Sequence, residues 1–341
     1  MFSYFLAELN PELALRIPEG YEIKGHYDLQ NEMFQKYQSV YNYRTCDNCN
    51  YTVVDYGKPY AILLMPELER VIVNSTLLLL FTQPNESNMR NVFRSYTKGL
   101  RDYYDISYIF VLTTDSSIRY LMKEQEENKD MLVFYYENSY HNLVKNVLLA
   151  FHYVHNLDLP CRYIVKMDVD VAINIHRLLD ILYNSTVSNN NDLYLGECIQ
   201  SGYNTDPSHK HFVPQSIYQN DNYPYFARGG VYVLSKSLLP RLLVGVRHLH
   251  FITHHEDMIC GRALALSNIK CNPTFKKYWL ARYGCRKIQS CIHYVSIHPS
   301  FDEREVMNSY FIFFRAKQTF RYASPKRKQF VIRSFQSKKS I

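Results

Sequence analysis

The sequence has a single tryptophan, Trp279, and no long apolar run. Its most apolar stretch, Val71–Phe81, contains Asn74 and is far too short to cross a bilayer as a helix. No secretory signal pattern opens the chain, because Met1–Leu9 is brief and soon meets Pro11. The expectation is an anchor missing from this chain, or a non-standard route to its compartment. Cys46-x-x-Cys49 has no second C-x-x-C at zinc spacing, which argues against a zinc ribbon. No internal repeat is evident, so solenoids and arrays are excluded. Acidic residues are absent from Arg315 to Ile341, where nine of the 39 Lys and Arg residues lie. The rest of the chain keeps 30 basic against 32 acidic groups, so the core has no basic footprint and no nucleic-acid partner is expected. The basic tail is either a solvated end or a contact for anionic membrane or polyanions.

What is present describes a well-packed chain. Apolar residues make up 47% and charged residues 21% of 341 positions, enough for one large domain or two ordinary ones. Tyrosine is abundant at 31 residues, which suits contact with sugar or peptide, or reflects compositional drift. Eight cysteines form an even count, but the chain is too long to be a pure disulfide scaffold. Four N-x-S/T sequons, at Asn50, Asn74, Asn85 and Asn184, favour a lumenal address, although sequons also arise by chance.

Residues 1–58 are polar, Tyr-rich and weakly periodic, and read as a stem-like lead-in. Beyond them, continuous apolar runs predict buried strands at Thr76–Phe81, Tyr108–Leu112, Met131–Phe134 and Arg162–Met167. Helical spacing predicts helices at Asn88–Leu100, Ser116–Asn128, Tyr140–Val154 and Ile175–Tyr183. Strands alternating with helices indicate an α/β fold with a mainly parallel sheet. In such sheets ligands bind beyond the carboxyl ends of the strands. The strand ending at Met167 runs straight into Asp168 and Asp170.

Three segments carry candidate chemistry. Lys166-Met-Asp168-Val-Asp170 places two carboxylates at i and i+2, on one side if the backbone stays extended. Hard oxygen ligands suit Mn²⁺ or Mg²⁺, which would clamp a diphosphate; a solvated turn is the plain alternative. His254-His255-Glu256-Asp257-Met258 precedes a helix-like run, Ile259–Leu266, so Asp257 is either a helix cap or a general base. Tyr223-Pro-Tyr-Phe-Ala-Arg-Gly229-Gly230 pairs two glycines, for close approach of a ligand or for a simple turn. Arg90 and Arg94 lie on the helix after the first strand, where guanidiniums either meet phosphate or line a surface.

Taken in order, these segments resemble the beta-1,3-galactosyltransferase and N-acetylglucosaminyltransferase family of inverting GT-A enzymes. Arg90-Asn-Val-Phe-Arg94 resembles its R-x-x-I-R helix. Asp130-Met-Leu and Tyr140-His-Asn142-Leu143 are similar to its D-I-L…Y-x-N-L segment. Lys166–Asn174 resembles K-x-D-D-D-v-f-v-N, Tyr223–Ser235 resembles Y-P-x-Y-x-x-G-x-x-Y-v-l-S, and Glu256-Asp257-Met258 with Gly261 resembles E-D-V-x-x-G. The likeness covers roughly residues 75 to 305. It departs at Val169, where the family has a central Asp, at Tyr96-Thr97-Lys98, where a Thr-Trp is missing, and at Asn146, where the family has Lys and this chain has Lys145 one place earlier.

The resemblance implies a GT-A (Rossmann-like nucleotide-diphospho-sugar transferase) domain over 71–310, after a lead-in at 1–70 and before a basic tail at 311–341. It implies a UDP-sugar donor, UDP-galactose or UDP-N-acetylhexosamine, and a glycan acceptor on glycoprotein or glycolipid, joined in a beta-1,3 linkage. Asp170 would be the principal metal ligand, with Asp168 at the nucleotide or metal and His298 ahead of His293 as a late ligand. Asp257 would be the base, with Glu256 as the next candidate. Lys166, Gly229, Gly230, Arg90 and Arg94 would line the donor. A Golgi lumenal protein is expected, membrane-associated through an anchor or the basic tail. A Fringe-like transferase and a catalytically silent lectin-like or chaperone-like relative are the alternatives.

Overall fold

A computed structural model of the chain describes residues 61–101, 104–115, 118–135, 138–139, 142–183, 192–201, 222–249, 253–274, 279–282, 293–298 and 303–320. The stem-like segment 1–58, Cys46 and Cys49, the sequons at Asn50 and Asn184, and the tail beyond 320 lie outside them. The chain divides into two compact units: residues up to 169 with 189–277, and residues 170–188 with those from 278 on.

The first unit contains β1 (Ala61–Leu64), β2 (Ser75–Phe81), α1 (Ser87–Lys98), β3 (Ile106–Thr114), α2 (Arg119–Asn128), β4 (Met131–Tyr135), α3 (Leu143–Asn156) and β5 (Cys161–Asp168). In the second unit β6 (Ala172–Ile173) and α4 (Ile175–Leu182) follow. The chain then returns to the first unit with β7 (Tyr194–Ile199), β8 (Phe226–Ser235), α5 (Leu239–Arg247) and α6 (Glu256–Ala265). It ends in the second with β9 (Leu280–Arg282), β10 (Ser296–His298) and α7 (Glu303–Phe320).

In the first unit seven strands lie in the order β1-β4-β3-β2-β5-β8-β7. β2 is central because Leu77–Leu80 are apolar on both faces, and every residue of the strand is buried. β4, β3, β2 and β5 pair in parallel, while β1 at one edge and β8 and β7 at the other run antiparallel to their neighbours. The mainly parallel α/β sheet expected from the sequence is therefore present, with its four predicted strands and their crossover helices close to their expected bounds. Burying one such Leu contributes about 1.5–3 kcal/mol, so this central strand is a main source of stability.

Three features extend what the sequence pattern indicated. β1 pairs with β4 through Ile62 opposite Phe134, so the sheet begins before residue 71. At the other end α7 runs on through 311–320. In helix α3 Val144 to Val154 are all buried, including Lys145, Asn146 and His152. It is covered by β3, α5 and α6, so no face is left for solvent. A disulfide joins Cys198 in β7 to Cys271 after α6, while Cys161 and Cys260 are buried free thiols.

The second unit holds a three-stranded sheet, β6-β10-β9. Asn174 caps α4 by accepting from the Arg177 amide, and its own amide donates to the Val295 carbonyl. The carbonyl of Trp279, fully buried, accepts from both the amide and the hydroxyl of Ser296. Helix α7 buries Val306, Tyr310 and Phe313, and the Tyr310 hydroxyl donates to the Val171 carbonyl.

Candidate active site

A lysine inside a buried strand demands acceptors. Lys166 is 1% exposed, and its ammonium meets Asp168 Oδ1 at 2.7 Å, the Gly229 carbonyl at 2.6 Å and Glu256 Oε1 at 2.8 Å. Residues 166 and 168 can share a carboxylate contact because they lie on one face of β5. The rings of Phe81 and Tyr232 lie 5.5 Å and 6.0 Å from the ammonium. Burial alone would lower the Lys166 pKa, but the charges of Asp168 and Glu256 outweigh it and keep the cation charged. This lysine ties β5, β8 and α6 together from the inside.

Glycine 229 sits inside the ten-residue strand β8, as does Gly230, so neither belongs to the turn that was one reading of the pair. Close approach is real at Gly229, but by protein groups: a Cβ there would fall 2.7 Å from Glu256 Oε1. One helical turn further on, a Cβ at Gly261 would lie 2.3 Å from the Phe226 Cβ. Both glycines therefore let α6 lie against β8, which brings Glu256 and Asp257 to the Lys166 ammonium.

Asp257 occupies the first turn of α6, whose N-cap is His255. Its Oδ1 accepts from the Met258 amide at 2.8 Å and its Oδ2 from the Gly229 amide at 2.9 Å. It bridges helix to strand instead of acting as the cap residue. Desolvation, then the neighbouring Glu256 charge, pushes the Asp257 carboxyl up to about 7, against those two hydrogen bonds and the Lys166 charge. An edge of the residue still reaches solvent. A carboxyl poised near neutrality on a half-buried residue is suited to accept a proton from a bound hydroxyl.

Strand β5 ends at Asp168, and Val169–Asp170 begin a turn, so the extended backbone assumed for the D-x-D pair stops at its first member. Asp168 keeps 32% of its side chain exposed while bound to Lys166. Val169, where the resemblance has an acid, is 4% exposed, and its amide donates to the Phe81 carbonyl. An apolar residue suits that inward position. Within the second unit, Asp170 Oδ2 lies 3.8 Å from His298 Nε2. Its other oxygen, Oδ1, is buried and accepts no hydrogen bond among the described residues. An orphaned carboxylate oxygen beside an imidazole fits a divalent cation, although no group of three His, Cys, Asp or Glu ligands forms among the described residues. His293, the runner-up, is exposed.

Arg90 and Arg94 are engaged by groups of the protein itself. Arg90 is fully buried, and its guanidinium donates to both Glu124 oxygens, the Thr82 hydroxyl and the carbonyls of Gln83 and Pro84. All five donors are thereby engaged, and none remains for a ligand. Arg94 pairs with Asp130 and Glu124 and lies over the Phe110 ring. The sequence reading missed this clamp and the Lys166–Glu256 pair. A charged residue within an apolar strand or helix face was the available signal for both.

A family model described as Galactosyltransferase matches residues 88–274. The chain is 24% identical over 259 residues to the mouse (Mus musculus) lactosylceramide 1,3-N-acetyl-beta-D-glucosaminyltransferase, covering 68% of this chain and 67% of that one. It is 24% identical over 240 residues to human (Homo sapiens) beta-1,3-galactosyltransferase 2, covering 66% and 56%. The matches thus span from about half to two thirds of the relatives' own length. Among solved structures, the galactosyltransferase LgtC, in complex with donor and acceptor sugar analogues, aligns with a TM-score of 0.39 at 7% identity, over 70% of this chain and 95% of that one. The family model covers the clamp helix, the Lys166 strand and the Glu256-Asp257 helix alike, and the chain belongs to the Galactosyltransferase family.

Proposed function

We propose that this protein transfers galactose or an N-acetylhexosamine from a UDP-sugar to a glycan hydroxyl with inversion, forming a beta-1,3 linkage. The observation that carries the reading is Asp257: a carboxyl raised to about 7, hydrogen-bonded to Gly229 and Met258, on a half-buried residue. In this role Asp257 removes the proton of the acceptor hydroxyl as that oxygen attacks the anomeric carbon. The bond from the anomeric carbon to the diphosphate oxygen breaks on the opposite face, and UDP leaves with the electron pair. Lys166 and Glu256 are positioning residues: the ion pair holds the start of α6 against β8, so the Asp257 carboxylate keeps its place. Asp170 and His298 are the residues that would hold Mn²⁺ or Mg²⁺, with Asp168 toward the nucleotide. A cation there supplies charge neutralisation to the departing diphosphate.

A lumenal, Golgi address fits the Cys198–Cys271 disulfide, which persists in oxidising compartments, and the exposed sequon residues Asn74 and Asn85. The test is donor turnover and UDP binding with and without Mn²⁺. Mn²⁺-dependent UDP binding, lost in Asp170→Asn with the fold intact, is the expected result. Binding unchanged by that substitution in calorimetry removes the metal assignment. Binding without any sugar transfer to a panel of glycans would instead favour a silent, lectin-like relative.

A further inference from the structure

Helices α3 and α5 meet along a surface cavity of about 180 Å³ in the first unit. From α5, Pro240, Leu243 and Val244 give it an apolar wall. From α3 come His152, His155 and Asn156, and Arg247 in the last turn of α5 completes the lining. No Asp or Glu is among these residues. Asp158, whose charge reaches His155, is held 2.5 Å from the Lys236 ammonium. The exposed Arg247 guanidinium makes no ion pair among the described residues. A cation in the last turn of a helix is favoured by the helix dipole, which accounts for His155 and Arg247. It does not account for His152, which is 5% exposed in the body of α3 and still lines the cavity.

We propose that this cavity binds a small organic carboxylate, its apolar body against Pro240, Leu243 and Val244 and its charge toward Arg247 and the histidines. The sign of the ligand follows from a lining with a guanidinium and several N–H donors but no acid. A single obligatory cation, with its planar fork of donors, matches one carboxylate. The apolar body follows from the α5 wall, which a bare inorganic anion would leave in water. Size sets the limit: a cavity of roughly 150 Å³ accommodates benzene, so this one takes a single ring or a short branched chain with its carboxylate. It is too small for a nucleotide sugar. The cavity borders the end of α3 that leads into β5, whereas Asp168 stands at the far end of that strand, roughly 20 Å on. The site is thus separate from Lys166 and Asp257, and the inference does not rest on the transferase reading.

The test is calorimetric titration of the full chain with benzoate, with benzamide as its neutral counterpart and inorganic phosphate as an anion without an apolar body. Saturable binding of one benzoate per chain is expected, with benzamide and phosphate each weaker by about tenfold or more. Arg247→Gln removes the charged donor and should weaken benzoate about tenfold. Val244→Asp, at a side chain 48% exposed, sets a like charge against the carboxylate and should abolish binding. Both variants should melt near wild type, because both positions are exposed. Absence of saturable benzoate binding overturns the proposal. So does equal binding of benzamide or phosphate, or benzoate binding unchanged in both variants.

Discussion

Lys166 and Asp257 carry the most testable chemistry at the scale of single residues. The Lys166 ammonium is fully buried between Asp168 and Glu256. Replacing it with Met leaves Glu256 as an uncompensated buried charge, and breaking a buried pair from one side costs about 3–5 kcal/mol. Lys166→Met should therefore shift the urea midpoint strongly downward, and a wild-type midpoint would show that the pair is not structural. Burial and the Glu256 charge raise the Asp257 carboxyl from its ordinary range to about 7. As a base it works only when deprotonated, so kcat/KM should rise with pH and level off above about 7, falling roughly tenfold per unit on the acid side. A folded-state pKa above the unfolded value means that this group contributes stability at low pH, lost as pH rises through about 7. Asp257→Asn removes that penalty but gives up one of two accepted hydrogen bonds. It should melt near wild type at pH about 8, bind UDP, and lose roughly 10²–10⁴ in turnover. Normal turnover in this variant would move the base to another residue, Glu256 first.

Between elements, two seams hold the first unit in place. At one, Arg90 and Arg94 of α1 grip Glu124 of α2 and Asp130 ahead of β4. Burial opposes ionisation of Glu124, but the two guanidiniums hold its pKa below the ordinary value of 4.5. A depressed carboxylate contributes stability that is present above the unfolded pKa and lost as pH falls through the folded one. Glu124→Gln should consequently lower stability at pH 7 and flatten its decline below about pH 4.5, as followed by urea titrations across pH. At the other seam α6 lies on β8, with Gly261 meeting Phe226. Since a methyl group there would sit 2.3 Å from another Cβ, Gly261→Ala forces the elements apart. Overpacking of this kind costs about 1–3 kcal/mol. It should also reduce transfer, because Glu256 and Asp257 begin the displaced helix; full activity would separate the seam from the site. Helix and strand positions were legible from periodicity, because burial of a face imposes its period on the sequence. The all-round burial of α3 was less so, since Lys145, Asn146 and His152 interrupt its apolar residues in sequence and are buried only once β3, α5 and α6 cover them.

For the whole chain, the Cys198–Cys271 link closes a separation of 73 residues between β7 and the segment after α6. Cross-links of that span stabilise by about 2–4 kcal/mol, chiefly by restricting the unfolded chain. Reduction should lower the thermal midpoint by several degrees, and Cys198→Ser should remove the part of that shift that this link supplies. An unchanged midpoint on reduction would mean that the link adds nothing to stability. An even cysteine count was visible in the sequence, but not this pairing, because proximity across 73 residues is a property of the folded sheet. The first strand of the sheet was hidden for a similar reason. Ala61–Leu64 is too short to read as a strand alone and becomes one only by pairing with β4.

By itself the sequence determined the alternation of strand and helix, the family, and which acidic segments to examine. Apolar periodicity and the spacing of short motifs are local properties, and they survive without coordinates. The tertiary structure decided what each charged side chain faces. Arg90, a candidate for phosphate, turns inward to Glu124, and Gly229, a candidate for ligand approach, makes room for Glu256. Lys166, Gly229 and Asp257 are separated by dozens of residues in the chain, and only the antiparallel pairing of β5 with β8 and the seating of α6 bring them together. Desolvation and Coulomb interaction depend on distances of a few ångströms, so the raised Asp257 carboxyl and the buried Lys166 cation arise only once the chain has folded.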